Sequence, residues 1–193
     1  MEKLNFYIIK EGYVKYMSQF DKKISKSYDE KARRPFIGIV LKVDEILYFA
    51  PFTSPKPKHL KMRNTIDFLK IDNGNLGAIN FNNMIPIPIE QCIKIDVENE
   101  QDETYKTLLY KQIHWCNERE NATIILNRAK NLYNRVINKK LPQKIIDRCC
   151  DFKKLEEKSQ QYKKILIKDN FLKIKITGYK KVLKSYSRKQ IVW

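Results

Sequence analysis

Several signals that identify common protein classes are missing from this chain of 193 residues. No run of about eighteen apolar residues exists, and the N-terminal residues lack the apolar stretch and cleavage site of a signal peptide. We therefore expect a cytoplasmic protein without a membrane span. The 4 cysteines and 2 histidines form no C-x-x-C pair and no common zinc pattern. The thiols are expected to be free, and buried or half-buried.

The sequence lacks a cluster of carboxylates. Metal-dependent nucleases hold their ions with clusters of Asp and Glu, and no such cluster is suggested by Asp21, Asp29, Glu30 and Asp67. A G-x-x-x-x-G-K-[ST] loop is also absent, so nucleotide hydrolysis is not expected. The sequence predicts neither a metal site nor a cofactor.

Positive charge is abundant by contrast. The chain has 39 Lys and Arg against 22 Asp and Glu, a net charge of +17. Such an excess favours nucleic acid or an anionic membrane surface as a partner. Residues 165–193 hold +7 of this charge, which leaves +10 of the +17 on residues 1–164. A lysine-rich bias of the source proteome is the alternative explanation, because Ile and Asn are also frequent.

One stretch carries most of the chemical signal. Runs of β-branched and aromatic residues at 36–43 and from 46 onward, joined by Asp44-Glu45, predict a β-hairpin whose turn type is left open. The second strand is expected to end at Pro51, since three prolines between 51 and 57 argue against a central strand or a helix there. This stiff segment would hold in place the side chains of Thr53, Ser54, Lys56, Lys58 and His59.

Hydroxyls and cations without neighbouring carboxylates suit a phosphodiester substrate. RNA is cut when its own 2′-oxygen attacks the adjacent phosphorus, a reaction that needs alignment, charge stabilisation and two proton transfers. Lys56 and Lys58 would stabilise the charge. His59 titrates near neutral pH, so it is a candidate proton carrier, the alternative being a turn histidine bonded to the backbone. The general base is left open, because serine, threonine and lysine are poor bases unless their pKa values are shifted.

The order and spacing of five stretches between about residues 5 and 160 resemble the ToxN/AbiQ family, the endoribonuclease toxins of type III toxin–antitoxin systems. The tail from about Ile165 lies outside the resemblance. The matching stretches are Asn5–Tyr7 with Tyr13–Tyr16 and Phe20–Asp21, Phe36–Leu41, Tyr48–Lys56, Leu76–Asn80 with Met84–Ile87, and Tyr105–Gln112.

The resemblance implies a set of site residues. Tyr13 belongs to the apolar face of a predicted helix and on composition alone would lie in the core. The family has an active-site tyrosine at this place, and Tyr13 could therefore donate to the leaving oxygen or position a phosphate. Arg34 stands where the family commonly has lysine. Arginine cannot act as a base, but it can clamp a phosphate with two hydrogen bonds. The catalytic set is thus Tyr13, Arg34, Thr53, Ser54, Lys56 and His59, and the RNA-binding set is Lys31, Arg33, Lys58, Lys61, Arg63, Tyr110 and Lys111.

The implied activity is that of a metal-independent, sequence-selective endoribonuclease toxin that leaves 2′,3′-cyclic phosphate and 5′-hydroxyl ends. The implied partner is a structured tandem-repeat RNA antitoxin, which the toxin cuts from its precursor and binds in a closed RNA–protein assembly, the free toxin being a monomer or a dimer. Its role would be abortive defence against phage. Two other classes stay open: a non-catalytic basic RNA- or DNA-binding protein, and a peripheral membrane protein held by the lysine-rich tail.

The patterns predict an α+β fold with strands first and helices later. About six short strands and one early helix are expected before residue 100, in a compact, strongly twisted and mainly antiparallel sheet like that of the small-barrel ribonuclease toxins. Residues 1–164 form the predicted toxin domain, and residues 165–193 a basic extension that is either an added strand or an RNA-binding arm. Helices are predicted over residues 13–20, 104–117, 123–138 and 143–166, with Asn121 or Thr123 capping the third.

Overall fold

A seven-stranded antiparallel sheet carries the fold of residues 3–24 and 35–167, the ranges that the computed structural model describes. The strand order is β4-β5-β3-β2-β1-β7, and β6 pairs separately with β3. Within the described residues the sheet stays open, with β4 and β7 at its ends. The strands are β1 Asn5–Ile9, β2 Phe36–Val43, β3 Ile46–Thr53, β4 Phe68–Lys70, β5 Ala78–Asn80, β6 Ile85–Pro86 and β7 Cys92–Lys94.

Helices cover the sheet, and all but two of the α-helices in the described residues follow its last strand in sequence, which confirms the α+β class. Side chains from α3, α4 and α6 join those of the strands in one hydrophobic core. No helix of the described residues has the length and apolarity that crossing a membrane requires. The helices are α1 Glu11–Ser18, α2 Pro57–Lys61, α3 Glu103–Asn117, α4 Arg119–Ile137, α5 Gln143–Arg148 and α6, residues 152–167.

The predicted hairpin is present, and its second strand is longer than expected. β3 continues through Pro51 to Thr53. One edge of β3 pairs with β2, and the other edge pairs first with β6 and then, toward Thr53, with β5. The Phe52 N–H donates to the Pro35 carbonyl on the β2 side at 2.9 Å. Because ladder directions alternate along a strand, the Pro51 nitrogen faces the opposite edge, where pairing changes from β6 to β5. Its missing N–H therefore removes no ladder hydrogen bond.

Three helix predictions were wrong. α2 begins at Pro57, the first helical position, where a missing N–H is tolerated. α4 already begins at Arg119, so Asn121 and Thr123 are internal residues, not caps. The helix predicted over 143–166 breaks at residues 149–151, because the Cys150 N–H donates to Asn82 and the Asp151 N–H to the Asp21 carboxylate, each at 2.8–2.9 Å.

Buried and half-buried polar side chains connect distant parts of the chain. The Asn117 side chain at the end of α3 accepts from Leu4 N–H at 2.9 Å and donates to the Leu4 carbonyl at 3.0 Å, which attaches the start of β1. The buried Glu156 carboxylate accepts from the hydroxyls of Tyr48 at 2.8 Å and Tyr133 at 2.6 Å. As predicted, all four cysteines are free; three are buried and Cys92 is half-buried.

Candidate active site

The end of β3 brings two hydroxyls and a cation to the surface. Thr53, the last residue of β3, is half-buried and pairs with Ala78 of β5, whereas Ser54 and Lys56 are exposed. The Thr53 hydroxyl donates to the Ser54 carbonyl at 3.1 Å and lies 3.3 Å from His59 Nε2. The structure thus brings together four predicted residues, and we call residues 53–56 the corner.

Gly77, which sequence reasoning did not single out, packs closely against the backbone of the corner. Gly77 has φ +96°, in the region that favours glycine. A Cβ at this position would overlap the Thr53 carbonyl oxygen and lie 3.1 Å from the Ser54 carbonyl carbon. The preceding residue, Leu76, is fixed from α3 by the buried Gln112, whose amide donates to the Leu76 carbonyl at 2.7 Å. Gly77 and Gln112 both lie in matching stretches, which is the only signal that could have drawn attention to them.

His59 lies behind the corner and not at its surface. The His59 residue is 1% exposed, its ring packs 5.9 Å from the Phe68 ring, and its buried Nδ1 has no hydrogen-bond partner among the described residues. Burial, together with the charges of Lys58 and Lys56, lowers the pKa of His59, so the ring is neutral near pH 7. Since the Thr53 proton is donated to Ser54, the tautomer with its proton on Nε2 completes the pair by donating to Thr53 Oγ1.

Because His59 is inaccessible, it is not placed to exchange a proton with a substrate. The residue also belongs to α2 and not to a turn, and its own N–H donates to the Lys56 carbonyl at 2.8 Å. Both sequence-based interpretations of His59 therefore change. Its ring is placed to orient the Thr53 hydroxyl.

Tyr13 is not brought to the corner. Its side chain is fully buried, and its hydroxyl donates to the Pro86 carbonyl at 2.5 Å and hydrogen bonds with Ser159 at 2.9 Å. Desolvation by burial raises the pKa of Tyr13. Pro86 pairs with Tyr48, five residues before Thr53 along β3. In this structure Tyr13 therefore does not lie at the active site that the resemblance implies, because its hydroxyl is hydrogen-bonded within the core.

The basic candidates fall into two groups. Lys58, Lys61 and Arg63 are exposed on and after α2, close in sequence to Lys56, and none of these four forms an ion pair with another described residue. The candidates Lys31, Arg33 and Arg34 lie outside the described residues.

Tyr110 and Lys111 are exposed on α3, beside a groove of about 800 Å³ between that helix and residues 72–76. In the described part of the chain, no group of three or more His, Cys, Asp or Glu side chains could hold a metal ion. The buried Asp67 carboxylate is instead paired with the Arg148 guanidinium, with both N–O distances 2.6 Å.

The chain has clear relatives among known proteins. A family model described as "Toxin ToxN, type III toxin-antitoxin system" matches residues 5–161. An endoribonuclease ToxN of Bacillus thuringiensis subsp. kurstaki is 33% identical over 164 residues, which is 82% of this chain and 84% of that protein. An endoribonuclease ToxN of Pectobacterium atrosepticum is 34% identical over 169 residues, 83% of this chain and 95% of that protein.

Solved structures agree in fold. One, from work on selective toxin inhibition by a non-coding RNA pseudoknot in bacterial type III systems, superposes with a TM-score of 0.72 at 29% identity, covering 84% of this chain and 99% of its own. AbiQ, a lactococcal anti-phage endoribonuclease of the type III class, gives a TM-score of 0.73 at 27% identity, again covering 84% and 99%.

Proposed function

The chain belongs to the ToxN toxin family of type III toxin–antitoxin systems, and from that premise we propose that it is an endoribonuclease toxin whose active site is the corner. The observation that carries the proposal is that the exposed Ser54 and Lys56 and the half-buried Thr53 lie together at the end of a central strand. Residues 46–66 contain four Lys and Arg and no Asp or Glu. A polyanionic substrate is attracted to such a surface.

In the proposed reaction the 2′-hydroxyl of the RNA loses its proton as its oxygen attacks the adjacent phosphorus, the bond from phosphorus to the 5′-oxygen breaks, and the 5′-oxygen takes up a proton, so that no proton is gained or lost overall. The products are a 2′,3′-cyclic phosphate and a 5′-hydroxyl. On substrate binding the Thr53 hydroxyl turns its proton from the Ser54 carbonyl to a non-bridging phosphate oxygen, to which the Ser54 hydroxyl also donates. Lys56 stabilises the charge of the phosphorane. His59 orients the Thr53 hydroxyl. No metal is required, because the substrate carries the nucleophile and lysine supplies the positive charge.

We assign Arg34 as the second cation of the site. The neighbouring Pro35 accepts from Phe52 N–H, one residue before Thr53. A guanidinium cannot act as a base, but it binds a phosphate through two parallel hydrogen bonds. Lys31, Arg33, Lys58, Lys61 and Arg63 are proposed to bind the RNA backbone on either side of the cleaved bond.

The proposed partner is a structured RNA antitoxin built from tandem repeats. The toxin cuts this RNA from a precursor and then retains it as its inhibitor in a closed assembly. The proposed role of the toxin is abortive defence against phage. A related structure concerns toxin inhibition by an RNA pseudoknot, and AbiQ is an anti-phage enzyme. The +10 charge of residues 1–164 supports RNA binding by the toxin domain itself. The division at residue 165 stays a prediction, and residues 168–193 lie outside the described part.

The test is cleavage of total cellular RNA by the purified protein in EDTA. We expect new fragments with 5′-hydroxyl ends from the wild type, and none from Thr53→Ala, Ser54→Ala or Lys56→Ala. The matched control is Lys42→Ala, which removes an exposed lysine whose pairing partner, Leu47, lies six residues from Thr53 on β3, about 20 Å away. Intact RNA with a shifted gel band would contradict the proposal and identify a binding protein. Association with anionic vesicles alone would identify a membrane-surface protein.

A further inference from the structure

The groove beside α3 is a second feature of the surface next to the corner. Tyr110, Lys111, His114 and Trp115 line it from one face of the helix, and residues 72–76 form the opposite wall. A second cavity of about 520 Å³ shares Leu76 and Lys111 and extends the groove toward the start of α3. The volume of the groove lies within the range of protein sites that bind small ligands.

The groove is joined rigidly to the corner. Leu76 forms its floor and precedes Gly77, whose backbone touches residues 53–55. Gln112, on the buried side of α3, holds the Leu76 carbonyl at 2.7 Å. Gly74, in the same wall, packs so closely on His59 that a Cβ there would lie 2.9 Å from the His59 backbone. A ligand in the groove therefore lies at a fixed position relative to Thr53 and Ser54.

The chemistry of the lining suits one nucleotide. The Tyr110 side chain is 40% exposed and Trp115 is half-buried, so both offer ring surface, and bases stack on aromatic side chains without strong sequence preference. A hydrogen bond to the Glu98 carboxylate raises the pKa of Tyr110 to about 12 and keeps a neutral phenol. The Asn75 amide and the Asp72 carboxylate, 3.3 Å apart, supply hydrogen-bonding groups for a base edge.

The charged side chains that line the groove define the orientation of a bound nucleotide. His114 Nδ1 lies 3.4 Å from Glu118 at one end, and that carboxylate disfavours a phosphate there. Lys111 lies at the junction of the two cavities and forms no ion pair within the described residues. Asp72 and Glu103 also line the two cavities, and Lys111 is the only lysine or arginine among their described lining residues. A phosphate is therefore favoured at Lys111, with the base toward Trp115.

We propose that this groove is a nucleobase subsite, which holds the base of a nucleotide next to the cleaved phosphodiester against Trp115 and Tyr110 and thereby contributes to sequence selectivity. This inference rests on the proposed function of the corner. It adds a ligand class and an orientation to Tyr110 and Lys111, and it brings Trp115 and Asn75 into the site.

The first test measures cleavage. Tyr110→Ala should raise the KM for a short single-stranded RNA about tenfold with kcat nearly unchanged, and should change the set of cleaved sequences among 5′-hydroxyl ends mapped in random RNA. Tyr110→Phe, which keeps the ring, should behave like the wild type. An unchanged KM and an unchanged cleavage pattern for Tyr110→Ala would refute the inference.

The second test reports binding without cleavage. The chain has 2 tryptophans, so Trp193→Phe leaves Trp115 as the only indole; adding Ser54→Ala removes the proposed catalysis. Single-stranded RNA should quench the remaining indole fluorescence, and Lys111→Ala should weaken the titration. RNA that binds by gel shift but leaves Trp115 fluorescence unchanged would refute the subsite. A wild type that cuts no RNA would refute the proposed function instead, and the fluorescence titration would still decide on the groove.

Discussion

Replacing Gly77 with alanine should damage both the stability and the activity of the protein. Alanine at φ +96° is strained by about 1–2 kcal/mol, and its Cβ would overlap the Thr53 carbonyl oxygen. Relieving that overlap in packed surroundings costs roughly another 1–3 kcal/mol. For a chain of this size each kcal/mol lowers the melting temperature by about 2–4 °C, so we expect a decrease of roughly 4–20 °C.

The same substitution should also displace the corner. A shift of the reacting groups by about 1 Å costs on the order of a hundredfold in rate, so Gly77→Ala should cleave RNA far more slowly even well below its melting temperature. Gly12→Ala, in α1, is the matched control, because among the described residues its Cβ would come within 4 Å of the Tyr162 hydroxyl alone, at 3.9 Å. That variant should be about 0.5–1 kcal/mol more stable than the wild type and fully active. Wild-type melting and cleavage rates for Gly77→Ala would refute the role assigned to the Gly77 contact.

Two further variants test the surroundings of the corner and the core. His59→Gln should keep more activity than His59→Ala, because its amide can still donate to Thr53. The pKa of His59 is lowered in the folded state, so below about pH 6.5 the unfolded chain binds a proton at His59 that the folded chain does not bind. Between pH 7.5 and pH 5.5 the melting temperature of the wild type should therefore decrease more than that of His59→Gln. Equal decreases would contradict a neutral His59 ring. Asn117→Ala removes both bonds to Leu4 and should lower the free energy of unfolding by about 1–3 kcal/mol without changing cleavage at low temperature, as urea denaturation and rate measurements would show.

Local patterns predicted the parts of the fold that depend on local chemistry. The alternation of β2 and β3 and the apolar spacing of α3 each set one element without help from distant residues. The corner was predicted for the same reason, since Thr53, Ser54 and Lys56 are neighbours in sequence.

Other features depend on contacts that no single stretch contains. The break at residues 149–151 requires Asp21 and Asn82, which accept its backbone N–H groups. Gly77 matters only because β5 brings it beneath Thr53. The burial of Tyr13 likewise depends on Pro86 and Ser159, residues far from it in sequence.

Cleavage of an RNA with a single 2′-deoxy nucleotide tests the central claim most directly. The substrate is a short RNA cut by the wild type at one mapped bond, compared in EDTA with the same oligonucleotide lacking only the 2′-hydroxyl before that bond. If the corner aligns the 2′-oxygen on phosphorus, the modified RNA should bind with similar affinity and stay intact. Cleavage of that bond at the unmodified rate, or products with 5′-phosphate ends, would contradict the account.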